Sequence, residues 1–283
     1  MMLRRWRIPI IHLPIALLAL PVSCGHPFKP QQGHPFWDGV PLVIAHKGGL
    51  GPYPENTIPA FLHGLGQGAV GIEMDVQLCG SGEIVVFHDY EVDDLTDGTG
   101  KVARLTLAQL QSLNFDYRSD FLEMAVVPTL ETVLDSLPST ALLNIELKGE
   151  SVGSDGLEEA VIRVVRERGL EERTILTSFN AFRIKRIEND HPGLLTGLIT
   201  GPEVYWYARS PRFIDWCRAD AVVPFSGWTD RNYLDDRPDH RIVAWFEDDD
   251  FDDPEAEYRR LISMGIDGFV TDHPALVTSL LPY

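Results

Sequence analysis

The stretch from residue 72 to residue 89 holds two carboxylates and an imidazole at spacings that let them act together. Two apolar, β-branched runs flank Gly80-Ser81-Gly82, which predicts a tight β-hairpin. Glu73 and Asp75 are two residues apart and therefore share one strand face. If Gly80 and Ser81 are the two central residues of the turn, Glu73 lies opposite His88. This group suits a divalent cation with an acid or base beside it; the alternative is a solvated strand face.

Eight short apolar runs, alternating with amphipathic stretches, must position these residues. Continuously apolar runs of this length predict parallel strands buried on both faces. The predicted strands are Leu42–His46, Gly71–Val76, Leu142–Leu147, Thr174–Ser178, Leu194–Thr200, Asp220–Pro224, Ile242–Trp245 and Gly268–Thr271. Helices are predicted at Thr57–Leu65, Leu157–Arg168, Ala181–Asn189 and Pro254–Met264.

This alternation predicts an α/β fold, a (β/α)8 TIM barrel with the hairpin as an excursion after the second strand. An open doubly wound sheet is the alternative, but no glycine-rich nucleotide loop follows the first strand. Residues 90–128 form the longest stretch without a clear strand, and we interpret them as a small insertion carrying a helix at Leu105–Leu113.

In such a barrel the residues at the carboxyl ends of the strands meet at one mouth. Three carboxylates, two histidines and two lysines would converge there, and this set suits phosphodiester hydrolysis. The carboxylates are Glu73, Asp75 and Glu146, the histidines His46 and His88, and the lysines Lys47 and Lys148. Hard oxygen ligands predict one divalent cation, Mg²⁺ or Ca²⁺, rather than zinc. The lysines would add positive charge at the phosphate, and the imidazoles would act as general base and general acid.

Several of these residues have structural alternatives. Glu55 and Asn56 are candidates for substrate contact, but they also open the helix after the first strand and fit a helix cap equally well. Trp245 is as good a core residue as a wall of the substrate site. A plain ion pair at a strand end is the alternative for Glu146 with Lys148. Asp272, before His273-Pro274, is interpreted mainly as a turn former.

The composition bounds the partners of the chain. With 283 residues, of which 44% are hydrophobic, the chain can bury a sizeable core. The formal net charge of −18 argues against nucleic acid or an anionic membrane surface as the main partner.

The amino-terminal residues predict export. Residues 1–24 combine a basic head with a short apolar run, which is typical of a secretory signal peptide. The end of this run resembles the cleavage box of bacterial lipoproteins and predicts membrane attachment through a lipidated Cys24; ordinary cleavage and secretion is the alternative. Residues 25–40, rich in Pro and Gly, are expected to be a linker, and residues 41–283 the barrel domain. A periplasmic or extracellular location follows.

The motifs of the chain can be compared as a set. They include His46-Lys47-Gly48-Gly49, Pro54-Glu55-Asn56-Thr57, Ala60-Phe61, Gly71–Val76, Val85–Asp89, Pro128-Thr129-Leu130, Asn144–Lys148 and Gly265–Pro274. In this order, from about residue 42 to residue 274, they resemble the glycerophosphodiester phosphodiesterase family. The resemblance implies a phospholipase-C-like barrel that hydrolyses glycerophosphodiesters to glycerol 3-phosphate and an alcohol. It implies metal ligation by Glu73, Asp75 and Glu146, acid/base roles for His46 and His88, and phosphate contact from Lys47 and Lys148.

The chain departs from the family pattern at residues that bear on substrate choice. Lys47 stands where the family usually has arginine, so a single ammonium replaces a bidentate clamp. Two alternatives to the leading function follow. A lysophospholipase D activity on lyso-lipids would need an apolar groove, for which the candidate walls are Tyr205, Trp206, Tyr207 and Phe246. A non-catalytic envelope protein that binds phosphodiesters is the alternative of a different class.

Overall fold

The computed structural model describes residues 30–39, 41–115, 125–149, 152–202, 210–246 and 251–282. Within these residues the strands are β1 (Leu42–Ala45), β2 (Gly71–Leu78), β3 (Ile84–Val86), β4 (Leu142–Leu147), β5 (Thr174–Ser178), β6 (Leu195–Thr200), β7 (Ala221–Pro224), β8 (Arg241–Trp245) and β9 (Gly268–Thr271). All except β3 are parallel, in the order β1-β2-β4-β5-β6-β7-β8-β9, and β9 pairs with β1. The sheet is therefore a closed eight-stranded barrel, as predicted, and not an open sheet.

Helices follow the strands around the barrel. In the described residues they are α1 (Ile58–Gly66), α2 (Leu107–Gln111), α3 (Leu130–Ser136), α4 (Leu157–Glu167), α5 (Ala181–Asp190), α6 (Pro211–Cys217), α7 (Arg231–Asp235), α8 (Pro254–Met264) and α9 (Pro274–Leu280). Side chains of Thr57, Asn180 and Asp253 accept hydrogen bonds from the first turns of α1, α5 and α8 and fix where these helices begin. None of the described helices is both long enough and apolar enough to cross a membrane.

The hydrophobic core divides between the inside of the barrel and the space under the helices. Leu42, Ile175 and Val243 belong to the inner cluster. Phe36 and Trp37, 0% and 4% exposed, extend this cluster at the amino-terminal end of the barrel. Two hydrogen bonds from Gln31 to the Asp220 carboxylate, at 2.8 and 3.0 Å, hold the same segment beneath the sheet. Part of the stretch expected to be a linker is thus packed against the barrel, while the domain boundaries stay predictions.

The hairpin of β2 and β3 is present, but its predicted register is wrong by one residue. Val76 pairs with Val86 and Leu78 with Ile84, and this register places position 89, not His88, opposite Glu73. The loop contains three residues instead of two, because Cys79 N donates to Glu83 O at 3.0 Å. Its last residue, Gly82, has φ +96°, the left-handed conformation that such a loop requires.

The predicted insertion packs over the hairpin. Val85 and Phe87 form a small core of their own with Val102, Leu110 and Val127. The helix expected from residue 105 to residue 113 is shorter, since α2 covers five residues and begins at the capping side chain of Thr106. Residues 116–124 lie outside the described part of the chain.

Candidate active site

A tight turn after β1 carries the first histidine and the first lysine. His46 leaves the strand and begins a 3-10 turn that ends at Gly48, with Lys47 in the left-handed region at φ 52°. Helix α1 packs directly onto this turn, and neither Gly48 nor Gly64 of α1 has room for a Cβ atom. This close approach fixes the turn at the mouth of the barrel.

Three predicted carboxylates come together beside this turn. Glu73, Asp75 and Glu146 offer oxygen atoms that all lie within 4.8 Å of one another, and the three residues are 4%, 1% and 8% exposed. The β2–β4 register explains the convergence, because Asp75 pairs directly with Glu146 across the two parallel strands. Lys148 lies between them, with Nζ 3.3 Å from Asp75 Oδ1 and 3.0 Å from Glu146 Oε1.

Burial and neighbouring charges shift the pKa values of Glu73 and Asp75 in opposite directions. Burial, together with the negative charge of Asp75, raises the pKa of Glu73 to about 8. Burial also opposes ionisation of Asp75, but the positive charges of Lys148, His88 and Lys47 outweigh it and hold the pKa of Asp75 below its usual range. Hard oxygen donors with excess negative charge are what a divalent cation such as Mg²⁺ or Ca²⁺ binds, so the donor set fits such an ion.

Asn56 and the Lys47 backbone hold two of these carboxylates in place. Asn56 Nδ2 donates to Asp75 Oδ2 at 2.8 Å, and Asp75 N donates back to Asn56 Oδ1 at 3.1 Å. Lys47 N donates to Glu73 Oε2 at 3.0 Å. Asn56 is 1% exposed and has φ 58°, so it lies behind the carboxylates rather than at the open mouth.

Each predicted catalytic histidine is paired with a carboxylate. His46 Nδ1 lies 2.9 Å from Asp272 Oδ1, and His88 Nδ1 lies 2.7 Å from Asp89 Oδ1. Burial alone would lower the pKa of His46, but the charge and hydrogen bond of Asp272 outweigh it and raise this pKa to about 9. A carboxylate on Nδ1 orients the ring and favours the tautomer in which Nε2 can exchange a proton.

Sequence reasoning missed the partnership of His46 with Asp272. Asp272 follows β9, which pairs with β1 in the closed barrel. The two strand ends are therefore adjacent. The signal was present in the predicted barrel, because closure makes the first and last strands neighbours.

A buried hydrogen-bond network fixes the end of β4. Ser178 Oγ donates to Leu147 O at 2.8 Å, Arg183 donates to Lys148 O at 3.3 Å, and Asn180 Nδ2 donates to Gly149 O at 3.0 Å. Three consecutive carbonyls after Glu146 are thus held by side chains of the next strand and helix. The network orients the strand end that carries a predicted metal ligand and a predicted phosphate contact.

The remaining predicted substrate contacts are less central. Glu55 Oε1 lies 3.4 Å from Lys47 Nζ. Trp245 is 9% exposed, packs against Phe179 and Phe225 inside the barrel and donates from Nε1 to Thr200 O at 3.0 Å. Among the candidate lipid-groove walls, Phe246 is fully buried under the helices, whereas Tyr205, Trp206 and Tyr207 lie outside the described residues.

Comparison with known proteins identifies the family of the chain. Residues 46–276 match the model of the glycerophosphoryl diester phosphodiesterase family. The chain belongs to this family. A relative named glycerophosphodiester phosphodiesterase, from Caldanaerobacter subterraneus subsp. tengcongensis, is 30% identical over 259 residues, covering 85% of this chain and 97% of that protein. Membership of the glycerophosphoryl diester phosphodiesterase family makes the chain a phosphoric diester hydrolase, and the non-catalytic alternative is set aside.

Solved structures share the fold. An Oleispira antarctica phosphodiesterase in complex with the product sn-glycerol-3-phosphate is 25% identical, with a TM-score of 0.70 over 87% of this chain and 98% of that one. A glycerophosphodiester phosphodiesterase from Thermotoga maritima, 24% identical, has a TM-score of 0.67 over 85% of this chain and 98% of that one. Both share the barrel fold of this chain.

Proposed function

We propose that the chain hydrolyses glycerophosphodiesters to glycerol 3-phosphate and an alcohol with one divalent cation. The arrangement of three carboxylates within 4.8 Å, flanked by two histidine–carboxylate pairs, carries this proposal. Product binding by the Oleispira phosphodiesterase and the name of the Caldanaerobacter relative support the substrate class.

In the proposed mechanism Glu73, Asp75 and Glu146 would hold the cation, which would act as a Lewis acid and neutralise charge on the phosphate oxygens. Lys47 and Lys148 stay protonated, since nearby carboxylates raise the pKa of each ammonium against the opposing effect of burial. Their charges attract the phosphate and stabilise negative charge that develops on its oxygens.

His46 and His88 exchange protons with the attacking and leaving oxygens through Nε2. Asp272 stabilises the imidazolium form of His46, and Asp89 contacts Nδ1 of His88 and orients that ring. One of the two histidines acts as the general base and the other as the general acid.

A glycerophosphodiester panel tests the proposal. The purified protein is assayed for glycerol 3-phosphate release from sn-glycero-3-phosphocholine and glycerophosphoglycerol, with EDTA and after addition of Mg²⁺ or Ca²⁺. We expect release that stops on chelation and that falls at least about 100-fold in His46→Ala and His88→Ala. His191→Ala, which removes a histidine paired with Glu159 at the surface, is the matched control. Release that survives chelation would contradict the metal assignment.

We also propose that the chain is exported and that Cys24 is lipidated, with ordinary cleavage and secretion as the alternative. The support is the basic head and apolar run of residues 1–24, which lie outside the described residues. Mass spectrometry of the mature amino terminus tests it. A lipid on Cys24 that is lost in Cys24→Ala is the expected result, and an uncleaved terminus in the cytoplasm would contradict it.

A further inference from the structure

The side-chain amide of Gln77 binds the two backbone carbonyls on either side of His88. Its Nε2 atom donates to Phe87 O at 2.8 Å and to Asp89 O at 2.8 Å. Gln77 is 6% exposed and lies two residues after Asp75, on the face of β2 that carries the carboxylates. A glutamine amide has two N–H donors, and both are used here.

The register of the hairpin explains why this amide is needed. Val76 pairs with Val86, and both lie in the hydrophobic core under the helices. Because side chains alternate along a strand, His88 would point into the same core if β3 continued regularly. Instead β3 ends at Val86, and 21% of the His88 side chain is exposed. The chain must therefore turn between these two residues.

The backbone hydrogen bonds show how the chain is diverted. Phe87 N donates to Asp75 O at 2.9 Å, but Asp75 N donates to Asn56 rather than back to Phe87. In a regular antiparallel pair the two residues would exchange both bonds. The Phe87 carbonyl accepts from Gln77 instead. The side chain thus replaces a missing bond of the ladder and holds residues 87–89 in their irregular path.

We propose that Gln77 is a positioning residue that aims the His88 imidazole at the reacting phosphodiester. The inference rests on the proton-transfer role proposed above for His88. Without both donors the carbonyls of residues 87 and 89 would lose this partner, and the backbone that carries both the His88 ring and its Asp89 partner would no longer be held in place. The carboxylates on β2 would keep their positions, because Asn56 and Lys47 hold them independently.

The test compares Gln77→Met and Gln77→Leu, neither of which has a side-chain donor or adds a charge, with the exposed control Gln111→Met on α2. We expect kcat for sn-glycero-3-phosphocholine to fall about 10- to 100-fold in the two Gln77 variants, while KM and Ca²⁺ affinity stay within about threefold. In protein with ¹³C-labelled histidine, the imidazole resonances of His88 should shift and those of His46 should stay. The control should match the wild type in all four measurements.

Two outcomes would overturn the inference. One is wild-type kcat and unmoved His88 resonances in both Gln77 variants. The other is a loss of Ca²⁺ affinity as large as the loss of kcat, which would show that Gln77 acts through the metal-binding strand. A wild-type protein that releases no glycerol 3-phosphate would defeat the proposed function, yet the His88 resonances would still test the positioning role.

A measurement on the wild-type protein covers the case in which both variants fail to fold. The two side-chain amide protons of Gln77, both hydrogen-bonded, should exchange with solvent much more slowly than those of the exposed Gln111. Equal exchange rates would contradict the double hydrogen bond on which the inference depends.

Discussion

At the scale of single residues, the site consists of charged groups whose partners decide what each can do. His46 and His88 have the same chemistry, but each ring takes its orientation from a different carboxylate. Asp75 accepts a hydrogen bond from Asn56 and forms an ion pair with Lys148. Its negative charge is therefore partly compensated before any substrate binds. Changes to the partners should therefore alter the site without removing any residue that contacts the phosphate.

Asp272→Asn should lower the pKa of His46. The Asp272 charge favours the imidazolium, and its loss leaves burial, which favours the neutral ring, so His46 should lose its proton at a lower pH than about 9. We expect kcat to fall about 10- to 100-fold. An NMR titration of the His46 ring together with the pH–rate profile measures both effects. Asp135→Asn, at an exposed ion pair with Arg168, is the control, and an unchanged His46 titration would refute the pairing.

Asn56→Gly should weaken metal binding without straining the backbone. Glycine accepts φ 58° readily, so this variant removes only the hydrogen bonds to Asp75. Calorimetry should show a loss of Ca²⁺ affinity of about 10- to 100-fold. Asn56→Ala should lose the same affinity and in addition about 1 kcal/mol of stability, because alanine is strained at this φ. Unchanged affinity in both variants would rule out the orienting role.

At the scale of elements, the strands and long helices were predictable because their apolar patterns are unambiguous. The predicted strand from residue 174 to residue 178 and the predicted helix from residue 254 to residue 264 match the structure at both ends. The hairpin register was not predictable, since a Gly-Ser-Gly loop suits two central residues or three. Packing decides it: Gly80 N donates to Leu105 O at 2.7 Å and seats the longer loop on the insertion.

Gly82→Ala should destabilise the hairpin through its backbone alone. Nothing lies within 4 Å of a Cβ placed at Gly82, but its φ of +96° is unfavourable for any residue with a side chain. We expect a loss of about 1–2 kcal/mol in the free energy of unfolding, measured by urea denaturation, with KM unchanged. Gly66→Ala, at an open helical position without positive φ, is the control and should not destabilise. Equal stability of the two variants would speak against the three-residue loop.

At the scale of the whole molecule, barrel closure brings together residues far apart in the sequence. The carboxylate group was predictable from strand ends alone, because Asp75 and Glu146 lie near the carboxyl ends of neighbouring strands. The partners of the site were not, since Asn56 fits a helix cap and Asp272 a turn when each is considered by itself. Their roles depend on distances across the barrel, and the hydrophobic periodicity of the sequence does not predict these distances.

Two further buried acids, Glu188 and Asp220 at the amino-terminal end of the barrel, should make stability depend on pH. Burial and the nearby Asp220 charge raise the pKa of Glu188 to about 8 from 4.5, although Thr196, Arg218 and Lys185 oppose this. The folded state therefore retains a proton that the unfolded state releases. The resulting stabilisation is complete below pH 4.5 and is lost as the pH rises through about 8.

Glu188→Gln should remove this dependence. The amide oxygen can still accept from the Thr196 hydroxyl, which donates to Glu188 Oε1 at 2.6 Å in the wild type. Thermal unfolding should show a higher Tm for the variant at pH 9 and a similar Tm at pH 5. Glu159→Gln, at an exposed position, should follow the wild type at both values. A variant that tracks the wild-type Tm from pH 5 to pH 9 would refute the raised pKa.

The two aromatic residues at the amino-terminal end of the barrel cover its interior, and a truncation can remove them. Phe36 and Trp37 precede β1 in the sequence. A shortened protein starting at residue 41 would therefore lack both side chains, and the inside of the barrel would be open to water at its amino-terminal end. Such a protein should bind a hydrophobic dye and unfold at a lower temperature than a protein that starts at residue 30.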